Sequence, residues 1–307
     1  MGELAALGSS FVWACASILF AKLGRSLSGL SMNLLKCAIS LLFFVPTLLL
    51  LEGTFWPQGV TGTGLSLLAI SGIVGLSVGD TAYFGSLIRL GPRKALLLTT
   101  LVPPVTATLG WAFLGEPLTA PMIAGMALTL AGVTWVVQER TPSDDPEDEG
   151  ASKLDLIGIG LGVIAALGQA TGSYLTKAAP IDTAAMGMGG AGEALAVSIV
   201  RLVFGVAGLA IVVAAMGRTR ELARPFRSRR ETTYLLAATF LGTYLGIWLM
   251  NYGFLNAYIG VAATLNSTSP IFVLPLAAIF LDDKLTSRSV VGALIAVSGI
   301  AVLKFLG

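Results

Sequence analysis

Four charged side chains interrupt long apolar stretches of the sequence, and each of them needs a partner or a function there. They are Lys36, Asp80, Glu193 and Arg201. Charges at membrane depth are costly, and they usually face the interior of a helix bundle, where they contact one another or a transported solute. Asp80 is the carboxylate that lies well inside such a stretch, so it is the candidate for coupling transport to protons.

Lys36 and Asp80 fall at a similar depth, because the second apolar stretch begins on the side of the membrane where the third one ends. Two interpretations follow, a structural ion pair between two helices or a site for substrate or protons. Arg201 has no matching acid, because an internal repeat with an offset of 167 residues places Ile247 opposite Asp80. Its expected partners are Glu193, backbone carbonyl groups or an anionic group of the substrate, since a guanidinium suits a carboxylate.

Uncharged polar and aromatic side chains add further candidates for substrate contact. Two polar clusters lie beside prolines, which free a helix carbonyl about one turn earlier, so these side chains either bind a ligand or satisfy the backbone. Aromatic residues on one helix face either pack in the core or line a cavity for a flat or apolar substrate. Besides Lys36 and Arg201, the candidate substrate-binding residues are Trp13, Tyr83, Thr99, Thr100, Gln169, Ser173, Tyr244, Trp248, Asn251, Asn266 and Ser267.

The composition of the chain excludes several classes of protein. Of its 307 residues, 55% are hydrophobic and 12% are charged, with a mean hydropathy of +0.85, which is typical of a membrane protein and not of a soluble enzyme. The chain has no histidine, no carboxylates clustered for a metal and no ATP-binding motif, so we predict no catalytic residues, no metal site and no cofactor. A net charge of +2 without a basic stripe argues against nucleic acid as a partner. The expected partners are a small-molecule substrate and the lipid bilayer, and the oligomeric state stays open.

Apolar runs of about 20 residues, the length that a helix needs to cross a bilayer, occur ten times. Backbone N–H and C=O groups find no partners in lipid, so runs of this length are helical. The predicted fold is therefore an all-α membrane protein with ten transmembrane helices, near residues 4–21, 30–51, 64–88, 95–115, 120–138, 154–176, 194–216, 233–256, 259–281 and 287–306.

Two connections between these runs are strongly charged. Residues 139–153 are rich in acidic residues, which predicts a solvated linker between a first half, residues 1–138, and a second half, residues 154–307. The connection from Arg218 to Glu231 carries six arginines, which is typical of a cytoplasmic loop or of contact with anionic lipid headgroups. Lysine and arginine concentrate after the odd-numbered helices, so the positive-inside rule places those connections in the cytoplasm and both termini outside.

The second half repeats the first at the offset of 167 residues, which aligns Lys94–Val133 with Val261–Ile300. Because each half has five helices, the second half enters the membrane in the opposite sense to the first. The prediction is two inverted five-helix repeats, an arrangement typical of secondary transporters with a site between the repeats. The third helix of each half also carries small residues that permit close helix contact. The aligned pairs on that helix are Gly75 with Gly242 and Gly79 with Gly246.

The repeat carries a doubled sequence signature. The first copy reads FLGEPLT at 113–119, the second copy reads FLDDKLT at 280–286, and each is followed by two aligned glycines, Gly125 and Gly132 in the first half and Gly292 and Gly299 in the second. This pattern resembles the EamA family of the drug/metabolite transporter superfamily over essentially the whole chain. The resemblance implies a carrier of small metabolites, often an amino-acid or drug exporter in bacteria, with relatives that move nucleotide sugars and sugar phosphates. It more often implies cytoplasmic termini, in contrast to the charge distribution.

These observations predict a secondary active transporter that exports small metabolites, such as amino acids or drug-like compounds, by alternating access around a central pocket. The alternative within transport is an exchanger of anions, sugar phosphates or nucleotide sugars, with Lys36 and Arg201 as counter-charges. The alternative of another class is a membrane scaffold or sensor that transports nothing. Richness in Ala, Gly and Leu is compatible with a multi-pass protein of the bacterial inner membrane.

Overall fold

Helices make up nearly all of the computed structural model, which describes residues 1–23, 27–60, 62–137, 155–182, 190–269, 271–272, 276 and 287–305. These ranges contain no β-strand. Six helices in the described part of the chain are long and apolar enough to cross a membrane, and three shorter apolar helices accompany them. The protein is therefore an all-helical, multi-pass membrane protein.

The helices begin near the starts of the predicted apolar runs, with one exception between the third and fourth runs. The ninth run is predicted to extend to residue 281, whereas α11 ends at Asn266. In chain order they are α1 (Gly2–Leu23), α2 (Gly29–Glu52), α3 (Gly62–Ser71), α4 (Asp80–Thr99), α5 (Val102–Leu114), α6 (Ala120–Val137), α7 (Leu156–Ala178), α8 (Gly190–Ala215), α9 (Arg229–Ala238), α10 (Gly246–Asn256), α11 (Ile259–Asn266) and α12 (Ser287–Phe305). Two short 3₁₀ segments, Thr219–Ala223 and Pro225–Arg227, lie in the arginine-rich connection.

The exception concerns the connection expected at residues 89–94. The backbone there is helical, and α4 continues to Thr99 before the chain turns at residues 100–101. Proline at position 92 removes one helix hydrogen bond, which favours a break. Tertiary packing outweighs that preference, because Leu90 and Leu98 of α4 pack closely over Gly158 and Gly162 of α7.

Two π-helical segments occur at equivalent positions of the sequence repeat. Gly72–Gly79 joins α3 to α4 without a break, and Thr239–Leu245 joins α9 to α10. Adding the offset of 167 to position 72 gives 239, so the two segments begin at matched residues. The wider i→i+5 bonding of a π segment often marks a functional position in a helix. Asp80 directly follows the first segment.

Each π segment packs against a helix from the other half of the sequence. A Cβ added to Gly168 or Gly172 of α7 would lie 3.1 Å from the Cα of Gly79 or Gly75, so these backbones are in direct contact. A Cβ added to Gly242 would lie 2.6 Å from a carbon of α1. The small residues on the third helix of each half therefore permit the close helix contact that the sequence predicts.

Helices α6 and α12 form a second glycine-based contact. A Cβ on Gly132 would lie 2.6 Å from the carbonyl oxygen of Gly292, and one on Gly125 would lie 3.1 Å from that of Gly299. The four glycines of the doubled signature thus meet one another between these two helices. The acidic linker predicted at 139–153, the second signature stretch at 280–286 and the proline at 270 lie outside the described residues.

Candidate functional site

A buried ion pair joins α2 to the start of α4. Lys36 Nζ lies 3.2 Å from Asp80 Oδ2, and the side chains are only 7% and 14% exposed. The sequence offers this contact as one of two interpretations, because Lys36 and Asp80 fall at a similar depth in the second and third apolar runs. The ring of Trp13, from α1, lies 5.3 Å from the Lys36 ammonium, so its face contributes a cation–π interaction.

Gln169 of α7 is the second hydrogen-bond donor to the Asp80 carboxylate. Its Nε2 donates to Asp80 Oδ1 at 2.5 Å, so each carboxylate oxygen has a donor. Asp80 thereby joins α2 from the first half of the sequence to α7 from the second. Ser173, one turn further along α7, donates its hydroxyl to the backbone carbonyl of Gln169, which is a local helix contact.

Arg201 of α8 lies beside the first π segment, next to Gly72 and Gly75, and is 1% exposed. Its Nη1 donates to Oδ1 of Asn251 at 2.7 Å, and Asn251 Nδ2 donates to Ser198 Oγ at 2.9 Å. The partner is therefore an amide of α10, and neither Glu193 nor a backbone carbonyl. Among the described residues, Arg201 Nε and Nη2 have no hydrogen-bond partner. Asp80 lies near enough for its charge to act on Arg201.

The candidate aromatic residues make packing contacts. The Tyr244 hydroxyl bonds to Thr47 Oγ1 at 2.8 Å, and its ring packs 5.8 Å from that of Trp248. Trp248 donates its indole N–H to the carbonyl of Ala191. The ring of Tyr83, on α4, packs beside its chain neighbour with ring centroids 5.6 Å apart. These contacts connect α2, α8 and α10 around the charged residues.

The two polar clusters lie at the ends of α4 and α11. Thr99 is the last residue of α4 and Thr100 follows it in the turn, both partly exposed. Asn266 contacts the sulfur of a methionine on α10, and Ser267 donates to a carbonyl in its own helix. The hydroxyl of Ser267 thus satisfies the backbone, which is one of the two roles considered for this cluster.

Sequence reasoning missed a second ion pair, between Glu116 and Lys177. Their oxygen and nitrogen lie 2.5 Å apart, and the other Glu116 oxygen accepts the backbone N–H of Ile259 at 2.7 Å. Lys177 also donates to the carbonyl of Ala257. The pair lines a cavity of about 540 Å³ beside the start of α1. Since 61 positions separate the two charges in the sequence, no local pattern connects them.

Two further polar contacts lie at the connections between helices. Glu221 of the arginine-rich connection accepts hydrogen bonds from the hydroxyls of Ser28 and Ser31 at 2.6 and 2.9 Å. These bonds lower the pKa of the Glu221 carboxyl. Asp155 caps the start of α7 and forms an ion pair with Arg89. The pKa of Asp155 is lowered, most strongly by the hydrogen bond from the backbone N–H of Gly158 and next by the bond from Arg89. In the described part of the chain, no group of three or more Cys, Asp and Glu side chains is placed to hold a metal ion.

The sequence matches the model of the EamA-like transporter family over residues 1–138 and 155–305. The chain is 31% identical over 135 residues to a "Probable terminal-alkyne amino-acid exporter" of Streptantibioticus cattleyicolor, a match that covers 44% of this chain and 43% of that protein. It is 30% identical over 143 residues to the "Uncharacterized transporter YvbV" of Bacillus subtilis, with 44% of each chain covered. The chain thus spans less than half the length of these curated relatives.

A crystal structure that shares 17% sequence identity superposes with a TM-score of 0.77 and covers 99% of this chain and 96% of its own. That likeness supports the fold alone. The matching family and both relatives are described as transporters. Since the family match extends over both halves of the sequence, the chain belongs to the EamA-like transporter family.

Proposed function

We propose that this protein is a secondary active transporter of the bacterial inner membrane that exports small metabolites by alternating access. The observation that carries this proposal is the buried contact of Lys36, Asp80 and Gln169. It brings charged and polar groups from both halves of the sequence together within the helix bundle, where membrane proteins place solute and ion sites. The relative named as an exporter of a terminal-alkyne amino acid favours amino acids among the candidate solutes.

The proposed fold behind this function is ten transmembrane helices in two inverted repeats, residues 1–138 and 154–307. Three features support it: the matched positions of the two π segments, the packing of each on a helix from the other half, and the contact between the equivalent helices α6 and α12. We expect both termini outside. Labelling of a single cysteine at position 2, in a variant whose two native cysteines are replaced, tests the orientation with an impermeant reagent applied to intact cells.

Export is tested by comparing the medium of cells that express the protein with that of cells carrying an empty vector, by mass spectrometry. We expect selective enrichment of one class of small metabolite. The empty vector serves as the inactive comparison, and Arg89→Gln, at an exposed ion pair, serves as a control variant with unchanged export. An unchanged medium, with the protein folded in the membrane, contradicts export and leaves uptake, exchange or a scaffold role.

We further propose that Asp80 couples transport to protons. Lys36 faces its carboxylate from α2, Gln169 faces it from α7, and Arg201 acts on it from α8. A proton on Asp80 releases the charge of Lys36, which changes the packing between α2 and α4. We expect Asp80→Asn to abolish the pH dependence of transport in proteoliposomes while the protein stays folded. Transport by Asp80→Asn with the same pH dependence as the wild type refutes this coupling.

A further inference from the structure

Cations outnumber carboxylates among the hydrogen-bonded side chains around the first π segment. The hydrogen-bonded residues around the first π segment include two cations, Lys36 and Arg201, and one carboxylate, Asp80. Asp80 directs one oxygen to Lys36 and the other to Gln169, so both of its oxygens are engaged. A buried charge without a counter-charge is unfavourable by several kcal/mol. The bundle therefore favours one additional negative charge at Arg201.

The free part of Arg201 has the geometry of a carboxylate receptor. Its Nη1 is bonded to the neutral amide of Asn251, whereas Nε and Nη2 have no partner among the described residues. Nε and Nη2 lie on the same edge of the guanidinium plane, and their N–H bonds are parallel. This edge matches the two oxygens of a carboxylate in a bidentate pair, which is stronger and more specific than a single bond.

The first π segment forms the wall beside this edge. A Cβ added to Gly75 would lie 3.3 Å from Arg201 Nη2, so backbone and not an aliphatic side chain faces the donor. Arg201 is 1% exposed, so a solute reaches this edge only if the segment moves away from α8. π-Helical bonding of the kind at Gly72–Gly79 is frequent at functional sites.

We infer that the Nε–Nη2 edge of Arg201 binds the carboxylate of the transported solute, and that the substrates are small monocarboxylates, amino acids among them. The inference rests on the transport function proposed above. A single carboxylate supplies the one negative charge that Arg201 lacks, and the ammonium group of an amino acid has to find its partner outside this edge. A phosphate monoester brings two charges at neutral pH and leaves one of them unpaired, so sugar phosphates fit this site less well.

Binding to the purified 307-residue chain in lipid nanodiscs tests the inference. The probes are the common amino acids, short monocarboxylates, the primary amide of each, and glucose 6-phosphate, with the shift of the melting temperature against concentration as the measurement. We expect at least one carboxylate to stabilise the wild type, and its amide to bind about 10- to 100-fold more weakly, because the amide loses one charge-assisted pair.

Three variants assign the effect to Arg201. Arg201→Gln is expected to bind the acid and the amide equally, and Arg201→Lys is expected to retain part of the preference. Asn251→Asp keeps the oxygen that binds Nη1 but supplies an internal negative charge, so it is expected to melt at a higher temperature without ligand and to bind the acid more weakly. This variant keeps the test open if Arg201→Gln does not fold. Arg89→Gln serves as the control with unchanged binding.

The inference is overturned if folded wild type is stabilised by no carboxylate, if it binds amides as tightly as acids, if it prefers the phosphate ester, or if Asn251→Asp and Arg201→Gln keep the wild-type preference. Uptake of the bound acid into proteoliposomes separates this result from the proposed function. Arg201-dependent binding without transport supports the carboxylate site and contradicts the transporter. Transport of solutes without a carboxylate supports the transporter and contradicts the site.

Discussion

The ion pair of Lys36 and Asp80 makes a quantitative prediction about stability. At 3.2 Å and an effective dielectric constant of about 20, the attraction between the two charges is about 5 kcal/mol before desolvation is subtracted. Both side chains are buried, so removing one of them leaves an uncompensated charge and costs about 3–5 kcal/mol. Lys36→Met is expected at the lower end of this range, because Gln169 still donates to Asp80.

A double-mutant cycle measures this coupling. We expect Lys36→Met and Asp80→Asn to destabilise the protein by about 3 kcal/mol each, and the double variant to cost clearly less than their sum. The assay is reversible unfolding by SDS in mixed micelles, followed by circular dichroism. The control cycle uses Arg89 and Asp155, an exposed pair for which we expect a coupling below about 1 kcal/mol.

Two results would refute this reasoning. Additivity of the two single variants within about 0.5 kcal/mol means that the pair contributes no interaction energy. A coupling equal to that of the exposed control pair means that burial does not strengthen the interaction. In either case the ion pair of Lys36 and Asp80 does not stabilise the fold as expected, and Asp80 keeps only its proposed role with protons.

Two further predictions concern packing and pH. Gly132→Ala places a Cβ 2.4 Å from the backbone of α12 and is expected to destabilise the protein by about 1–3 kcal/mol. The control Gly160→Ala, whose Cβ has nothing within 4 Å, is expected to stay within about 0.5 kcal/mol of the wild type. Equal unfolding curves for the two variants contradict the close packing at Gly132. Glu221 has a lowered pKa in the folded protein, so its contribution to stability is full above its unfolded value of about 4.3 and is lost as the pH falls through the folded value. The double variant Ser28→Ala, Ser31→Ala is expected to lose less stability than the wild type between pH 6 and pH 3. A free energy of unfolding that falls with pH as steeply as in the wild type contradicts this expectation.

Membrane spans and close helix contacts follow from the sequence because they depend on local properties. The length and hydropathy of each apolar run reflect the thickness of the bilayer, so α2, α6 and α7 begin within two residues of the predicted positions. Glycines at repeated spacing mark surfaces where backbones can touch, as at Gly75 and Gly132. The pairing of Lys36 with Asp80 also follows, since consecutive antiparallel helices place both residues at one depth.

The tertiary structure decided the partners of the remaining charges. Arg201 meets Asn251, 50 positions away, and Glu116 meets Lys177, 61 positions away. Glu116 and Lys177 belong to segments that are not consecutive, and Arg201 meets an uncharged amide on the next span. Both contacts depend on how helices rotate and cross, which hydropathy does not specify. The π segments were also unpredicted, because their residues are apolar and small like those of an ordinary α-helix.

The sequence by itself determined that this chain is a helical membrane protein of the EamA type with charges inside its spans. The position of Asp80 between a lysine of α2 and a glutamine of α7 emerged only from the packed bundle, as did the free guanidinium edge of Arg201. The reason is physical: a membrane span is stabilised one residue at a time by its surroundings, whereas a polar site exists only when side chains from distant segments converge.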